Sequence, residues 1–288
     1  MRVNFSRKDI SRTNARAKVN GGRAYKEQLK KINARWEIKK THHTQSTTPI
    51  DPKLLNKIGL EKKDKVLYFA GCYGDWAKAI SHQTELVYTD ATKSVLEYAK
   101  TRNKGKIKRF KLITAELVPQ RPMIYDWSVS YEPIPLLRTN TLKFSLTRSL
   151  LNKKGAKLIY SFLYEAEKKE TLSQIERIAR IYSAEVELKK TFVETNSKRW
   201  QKTPVPISTI TLKTNPRARK KAFIDLRILN AIDKESSMTI AQIAKKFKIS
   251  KLEVINSIKR IEALTEETQK GIPLTLIKLI DQVKKIVR

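Results

Sequence analysis

Residues 65–80 read KVLYFAGCYGDWAKAI. Val66–Ala70 is a β-rich apolar run, short enough to be a buried strand. Gly71 and Gly74 follow it, and Tyr73–Ser81 then carries helical spacing. Glycines let a backbone turn tightly and approach a ligand closely. Strand, glycine turn and helix in that order begin a sheet covered by helices.

The same alternation continues downstream. Glu85–Thr89 (ELVYT) predicts a second strand, and Thr92 to about Thr101 a helix. Arg109–Thr114 and Met123–Ser130 predict the third and fourth strands, and Leu136–Leu151 the helix after them. Ala156–Leu163 is the fifth strand, followed by a long amphipathic helix over Glu167–Ser183. Glu185–Val193 and Ile207–Leu212 are two last strands with no helix between them. The expected fold class is α/β: a mostly parallel, seven-stranded sheet with an antiparallel hairpin at one edge. In such sheets ligands bind outside the carboxyl ends of the strands, near the switch point. Asp90 stands at the end of the second strand, where a carboxylate can accept hydrogen bonds from both ribose hydroxyls of an adenosine ligand. Alone, the glycines also fit a plain turn and Asp90 a helix N-cap. Together, at the ends of consecutive strands, they favour a nucleoside cofactor.

Over about Asp51 to Thr214 the chain resembles the class I, Rossmann-like S-adenosylmethionine-dependent methyltransferases. KVLYFAGCYGDWAKAI is similar to their glycine-rich first motif, LVYTDAT to the second and LITAELVP to the third. IYDWSVSYEPIP stands where the fourth motif follows strand four, and SLLNKKGAKLIYSF resembles the approach to strand five. The resemblance implies seven strands with a reversed final hairpin and S-adenosyl-L-methionine as cofactor. It places the cofactor against Phe69, Ala70, Gly71, Tyr73, Gly74, Asp90, Ala91, Ala115, Glu116 and Ser130. It places the reaction at Tyr131, Glu132 and Pro133, where Tyr131 would position the substrate, Glu132 accept a proton and Pro133 stiffen the loop. The same segment also fits a simple helix start. Cys72 lies within the cofactor turn, so amine or hydroxyl methylation is expected rather than cysteine-dependent carbon-5 chemistry. The sequence also departs from the family: Tyr68 replaces the acid of the first motif, Thr114 that of the third, and the N/D-P-P-Y/F box is missing.

The flanks carry charge. The 288 residues hold 61 Lys+Arg against 28 Asp+Glu, a formal charge of +33. Residues 1–40 carry a net +10, residues 41–213 a net +14 and residues 214–288 a net +9. Charge of this size is a statement about partners, and nucleic acid leads the candidates. Residues 1–48 read as a basic arm, disordered at first, with a helix from Gly22 whose apolar stripe is Tyr25, Leu29, Ile32 and Trp36. His42 and His43 open a polar linker, and no metal site is expected. Between the last two strands, Lys198, Arg199 and Trp200 could meet phosphates and stack on a base, although a buried Trp beside incidental charges fits as well.

After Asn215-Pro216 the pattern is wholly helical. Thr239–Gln242 and Ser250–Glu253 are capping boxes around the turn Lys248–Ile249. The expected core is Ile240, Ile243, Ala244, Phe247, Ile249, Leu252, Ile255 and Ile258. This resembles a helix-turn-helix, with Ser250–Leu264 as recognition helix exposing Lys251, Asn256, Lys259 and Arg260. Such modules also bind proteins. The expected division is thus 1–48, 49–214 and 215–288.

With one cysteine, no apolar leader and no long apolar run, a cytoplasmic protein without disulfide or membrane span is expected. The expected function is a nucleic-acid methyltransferase, with RNA slightly favoured over DNA. The alternative is a non-catalytic DNA-binding regulator built on a degenerate methyltransferase-like domain.

Overall fold

The computed structural model describes residues 53–69, 84–90, 93–103, 109–112, 122–131, 140–161, 165–193, 204–234, 238–265 and 274–287, together with Ala77, Ile80, Ile107 and Pro133. Seven strands form one sheet: β1 Lys65–Tyr68, β2 Glu85–Asp90, β3 Arg109–Leu112, β4 Trp127–Tyr131, β5 Gly155–Ser161, β6 Glu185–Val193 and β7 Val205–Lys213. Their spatial order is β3-β2-β1-β4-β5-β7-β6. β1 to β5 pair in parallel, and β7 runs antiparallel to both β5 and β6. This meets the expectation of seven strands closed by a reversed hairpin. The order reverses between β1 and β4, which puts the switch point at their carboxyl ends.

The eight described helices are α1 Leu54–Ile58, α2 Lys93–Arg102, α3 Asn140–Ser149, α4 Glu165–Tyr182, α5 Pro216–Lys234, α6 Ile240–Phe247, α7 Lys251–Thr265 and α8 Leu274–Val287. Alternation along the strands sorts the core onto two faces. Val66, Tyr68, Leu86, Tyr88, Trp127, Val129 and Ile159 pack with α1, α2, Ala77 and Ile80. Phe69, Ala156, Leu158, Tyr160, Ile210 and Leu212 pack with α3, α4 and the start of α5. All seven residues of β5 are buried, as a central strand requires.

Strand four starts later than the sequence predicts, at Trp127 rather than Met123. Pro122 precedes a left-handed Met123 (φ 63°), whose N–H donates to Leu151 O at 2.8 Å, so this stretch turns before it extends. Met123 and Ile124 are exposed. Strand one ends at Tyr68, short of the expected Ala70; the expected last residues of strand five, 162 and 163, lie outside the described residues.

The C-terminal helices share the sheet's second core. Asn215 caps α5: its Oδ1 accepts from the Ala218 N–H at 2.8 Å, with Pro216 at the first helical position. Ala218, Ala222 and Leu264 pack beside Ile178 and Tyr182. Beyond them a third cluster joins α5, α6, α7 and α8, and Phe144 of α3 packs against it. The buried Asp225 carboxylate ties α5 to α7, accepting from Ser257 Oγ at 2.6 Å and from Arg260 at 2.6 and 2.9 Å. No described helix is long and apolar enough to cross a membrane.

Candidate functional site

At the carboxyl end of β1, Phe69 is buried and its N–H donates to Val129 O at 3.0 Å, extending the β1–β4 pairing. Thr89 Oγ1 donates to Tyr68 O at 3.1 Å across to β2. Asp90 is the last residue of β2, paired in register with Leu112, and is only 8% exposed. β4 lies on the other side of β1 and ends in Ser130 and Tyr131. The structure therefore brings Phe69, Asp90, Ser130 and Tyr131 to one end of three adjacent strands, at the switch point.

Two serines on one face of β4 behave differently. Ser128 Oγ accepts from Asn152 Nδ2 at 2.8 Å. Ser130, two residues nearer the carboxyl end, is fully buried and its Oγ has no hydrogen-bond partner among the described residues. A buried hydroxyl without a partner costs about 1–3 kcal/mol, so a polar ligand group there would be stabilising. Tyr131 is half-buried, with its ring against the first core cluster, and Pro133 is buried.

Tyr68 has a packing role in place of the absent acid. Its ring stacks on Tyr88 at 5.9 Å with 7° between planes, and Tyr88 meets Phe110 at 5.4 Å. An aromatic layer thus lies on this face at the end of β1.

Several expected site residues lie outside the described ones: Ala70, Gly71, Tyr73, Gly74, Ala91, Ala115, Glu116, Glu132, Lys198, Arg199 and Trp200. So does the basic arm, 1–48.

On the C-terminal helices, Lys251, Asn256 and Lys259 are exposed along α7. Arg260 is not the exposed contact that the sequence predicts. Its side chain is 17% exposed and is consumed by the buried Asp225, one helix away. Leu252 is corrected in the opposite sense. It was expected in the core, yet it is 65% exposed; Val254 and Ile261 fill the core beside the expected Ile258. The Thr239–Gln242 capping box is formed, and Ser250 Oγ accepts from the Glu253 N–H at 3.1 Å. Lys248 ends α6 in the left-handed conformation (φ 53°), which makes the turn tight. Among the described residues no group of His, Cys, Asp and Glu could hold a metal ion.

One surface that the sequence reading passed over lies on the edge strand. Phe192, near the end of β6, is 61% exposed and follows exposed Lys189 and Lys190. Only the strand's edge position exposes them, and apolar alternation alone does not say which strand is the edge.

No protein-family model matches the chain, and no curated protein matches it in sequence. Solved structures do resemble it. A precorrin-6y C5,15-methyltransferase from Geobacter metallireducens is 12% identical with a TM-score of 0.41, over 56% of this chain and 85% of that one. The methyltransferase domain of bacterial CtHen1-CN is 17% identical with a TM-score of 0.39, over 55% and 94%. The N-methyltransferase NodS from Bradyrhizobium japonicum is 10% identical with a TM-score of 0.39, over 63% and 98%.

Proposed function

We propose that the chain is an S-adenosylmethionine-dependent methyltransferase acting on nucleic acid, with RNA favoured over DNA. One observation carries the cofactor reading: the buried Asp90 carboxyl and the unpartnered Ser130 hydroxyl stand at strand ends on either side of β1, at the switch point. Their chemistry fits the group. A carboxylate suits ribose hydroxyls, and a buried hydroxyl suits a polar group of the ligand. When bound, S-adenosylmethionine supplies an electrophilic methyl group on a sulfonium. The chain's own task is then to hold a nucleophile in line with that methyl and exclude water. Tyr131 would place the substrate, Glu132 would take a proton from an amine or hydroxyl, and Pro133 would stiffen the loop. The net charge of +33 supports a polyanionic substrate.

Calorimetric titration of ligand-stripped protein with S-adenosylmethionine tests this. Binding by the wild type, lost in Asp90→Ala and weakened in Ser130→Ala, is the expected result. It would be followed by tritiated-methyl transfer to RNA and DNA. A folded wild type that binds no cofactor would overturn the proposal. The exposed Lys251, Asn256 and Lys259 of α7 favour a second reading, a DNA-binding regulator without transferase activity. Cofactor-independent, site-specific DNA binding would select it.

A further inference from the structure

Charge is segregated along β6. Its amino half carries Glu185 and Glu187, and Glu187 is bonded to Lys213 at 2.7 Å. Its carboxyl half carries Lys189 and Lys190, and Phe192 follows. β6 runs in the same direction as β5, so Phe192 and the lysines lie toward the end of the sheet that holds Asp90 and Ser130. Most acids on the amino side are occupied. Lys154 holds Glu61 and Asp64, Lys153 holds Asp126, and Lys65 and Arg109 hold Glu85.

The position of Phe192 is fixed. Lys57 Nζ of α1 donates to its carbonyl at 2.9 Å, and Phe192 pairs in register with Pro206. By alternation, Lys190 and Phe192 share the face covered by α4. The carboxylate that interacts with Lys190 there, Glu165, is bonded to Lys168 Nζ. Exposed Lys169 lies on the same helix. A large aromatic ring is therefore held open to solvent among cations, on a strand end whose backbone is anchored.

We infer that the carboxyl end of β6 is a binding platform for single-stranded RNA, with a base stacked on Phe192 and phosphates held by Lys190 and Lys169. The inference rests on the nucleic-acid reading above and specifies where the substrate lies. A ring flanked by lysines matches the two parts of a nucleotide, a base with a π-face and a phosphate with charge. Duplexes keep their base faces stacked, so an exposed ring selects a single strand. β6 is three strand spacings from β4, about 14 Å, so a short single strand reaches from Phe192 to Tyr131.

The test is fluorescence anisotropy of the full chain with a labelled oligouridylate, without cofactor. Phe192→Ala is expected to weaken binding about 5- to 100-fold, with the melting temperature unchanged because the ring is exposed. Phe192→Trp should keep the affinity, and Phe192→Leu should behave like the alanine variant. The Lys169→Ala, Lys190→Ala double variant should flatten the salt slope by about 1.4, two phosphates on a single strand. Wild-type affinity in Phe192→Ala would overturn the platform and leave the nucleic-acid reading standing. Wild-type affinity in Phe192→Leu would overturn base stacking. Equal competition by duplex RNA would overturn single-strand selection, and tighter binding of the matching DNA strand would overturn the choice of RNA. A wild type that binds no oligonucleotide would remove both the platform and the reading beneath it.

Discussion

Gly155 sits at φ 128°, and a Cβ there would stand 1.9 Å from the carbonyl oxygen of Leu212. That atom is backbone and cannot swing away, because Ala156 and Leu212 are register partners in the β5–β7 ladder. Gly155→Ala is therefore expected to cost about 3 kcal/mol or more, read as a shifted denaturant midpoint; an unshifted midpoint would show the ladder to be looser than this. Lys157, on the same strand, is 6% exposed, and its Nζ lies 4.2 Å from the centre of the Trp127 ring. Burial pulls its pKa from 10.5 to about 8, although the Glu187 carboxylate pulls the other way. A lysine whose folded pKa is lowered binds fewer protons folded than unfolded between those values, so stability rises with pH across that window. The rise is about 3 kcal/mol for Lys157. Lys157→Met should be more stable than wild type at neutral pH, and the difference between them should shrink from pH 8 to 10.5; a constant difference would refute it. The position of Asp90 at the end of strand two was legible because it directly follows the apolar run ELVYT. The sequence did not reveal that Ser130 lacks a partner among the described residues while Ser128 has Asn152, since Asn152 comes from another part of the chain.

The order of strands and helices was legible because each strand is a short apolar run and each helix has its own period. Strand six begins at Glu185, as predicted, and is described to Val193. Strand four does not begin as predicted, because its start depends on a left-handed Met123 and on Leu151, which no local pattern shows. The exposed side of α7 was misjudged for a similar reason. Helical spacing cannot tell Lys259 from Arg260 until the position of Asp225 on α5 is known. The distinction is testable between adjacent residues. Arg260→Ala strips a buried carboxylate of its ion pair and should cost about 3–5 kcal/mol of stability. Lys259→Ala should leave the melting temperature alone and, if α7 meets DNA, lower the slope of log K against log salt by about 1. Parallel melts and salt titrations of the two variants measure this. Equal loss of stability in both would contradict the assigned roles.

At the scale of the whole molecule, the excess of cations over anions is 33 in 288 residues. The ion pairs with acids do not cancel it. Exposed pairs such as Lys65–Glu85 and Lys213–Glu187 contribute little to stability, and they lie where the amino ends of the strands bring acids together. The remaining lysines repel one another across the surface, and this repulsion opposes the compact state. Salt screens charges more than about 10 Å apart at 0.1 M. Added salt should therefore raise the melting temperature of the isolated protein. The same ions compete for phosphates, so the affinity for nucleic acid should fall by orders of magnitude between about 50 and 200 mM. The two responses have opposite signs from one cause, and that separates a nucleic-acid surface from a merely soluble one. A lysine-rich surface serving solubility alone would give the rise in melting temperature without steep, salt-sensitive binding. Calorimetric melts and anisotropy titrations across one salt series decide between them. A melting temperature that falls with salt would mean that attractive pairs outweigh the excess charge.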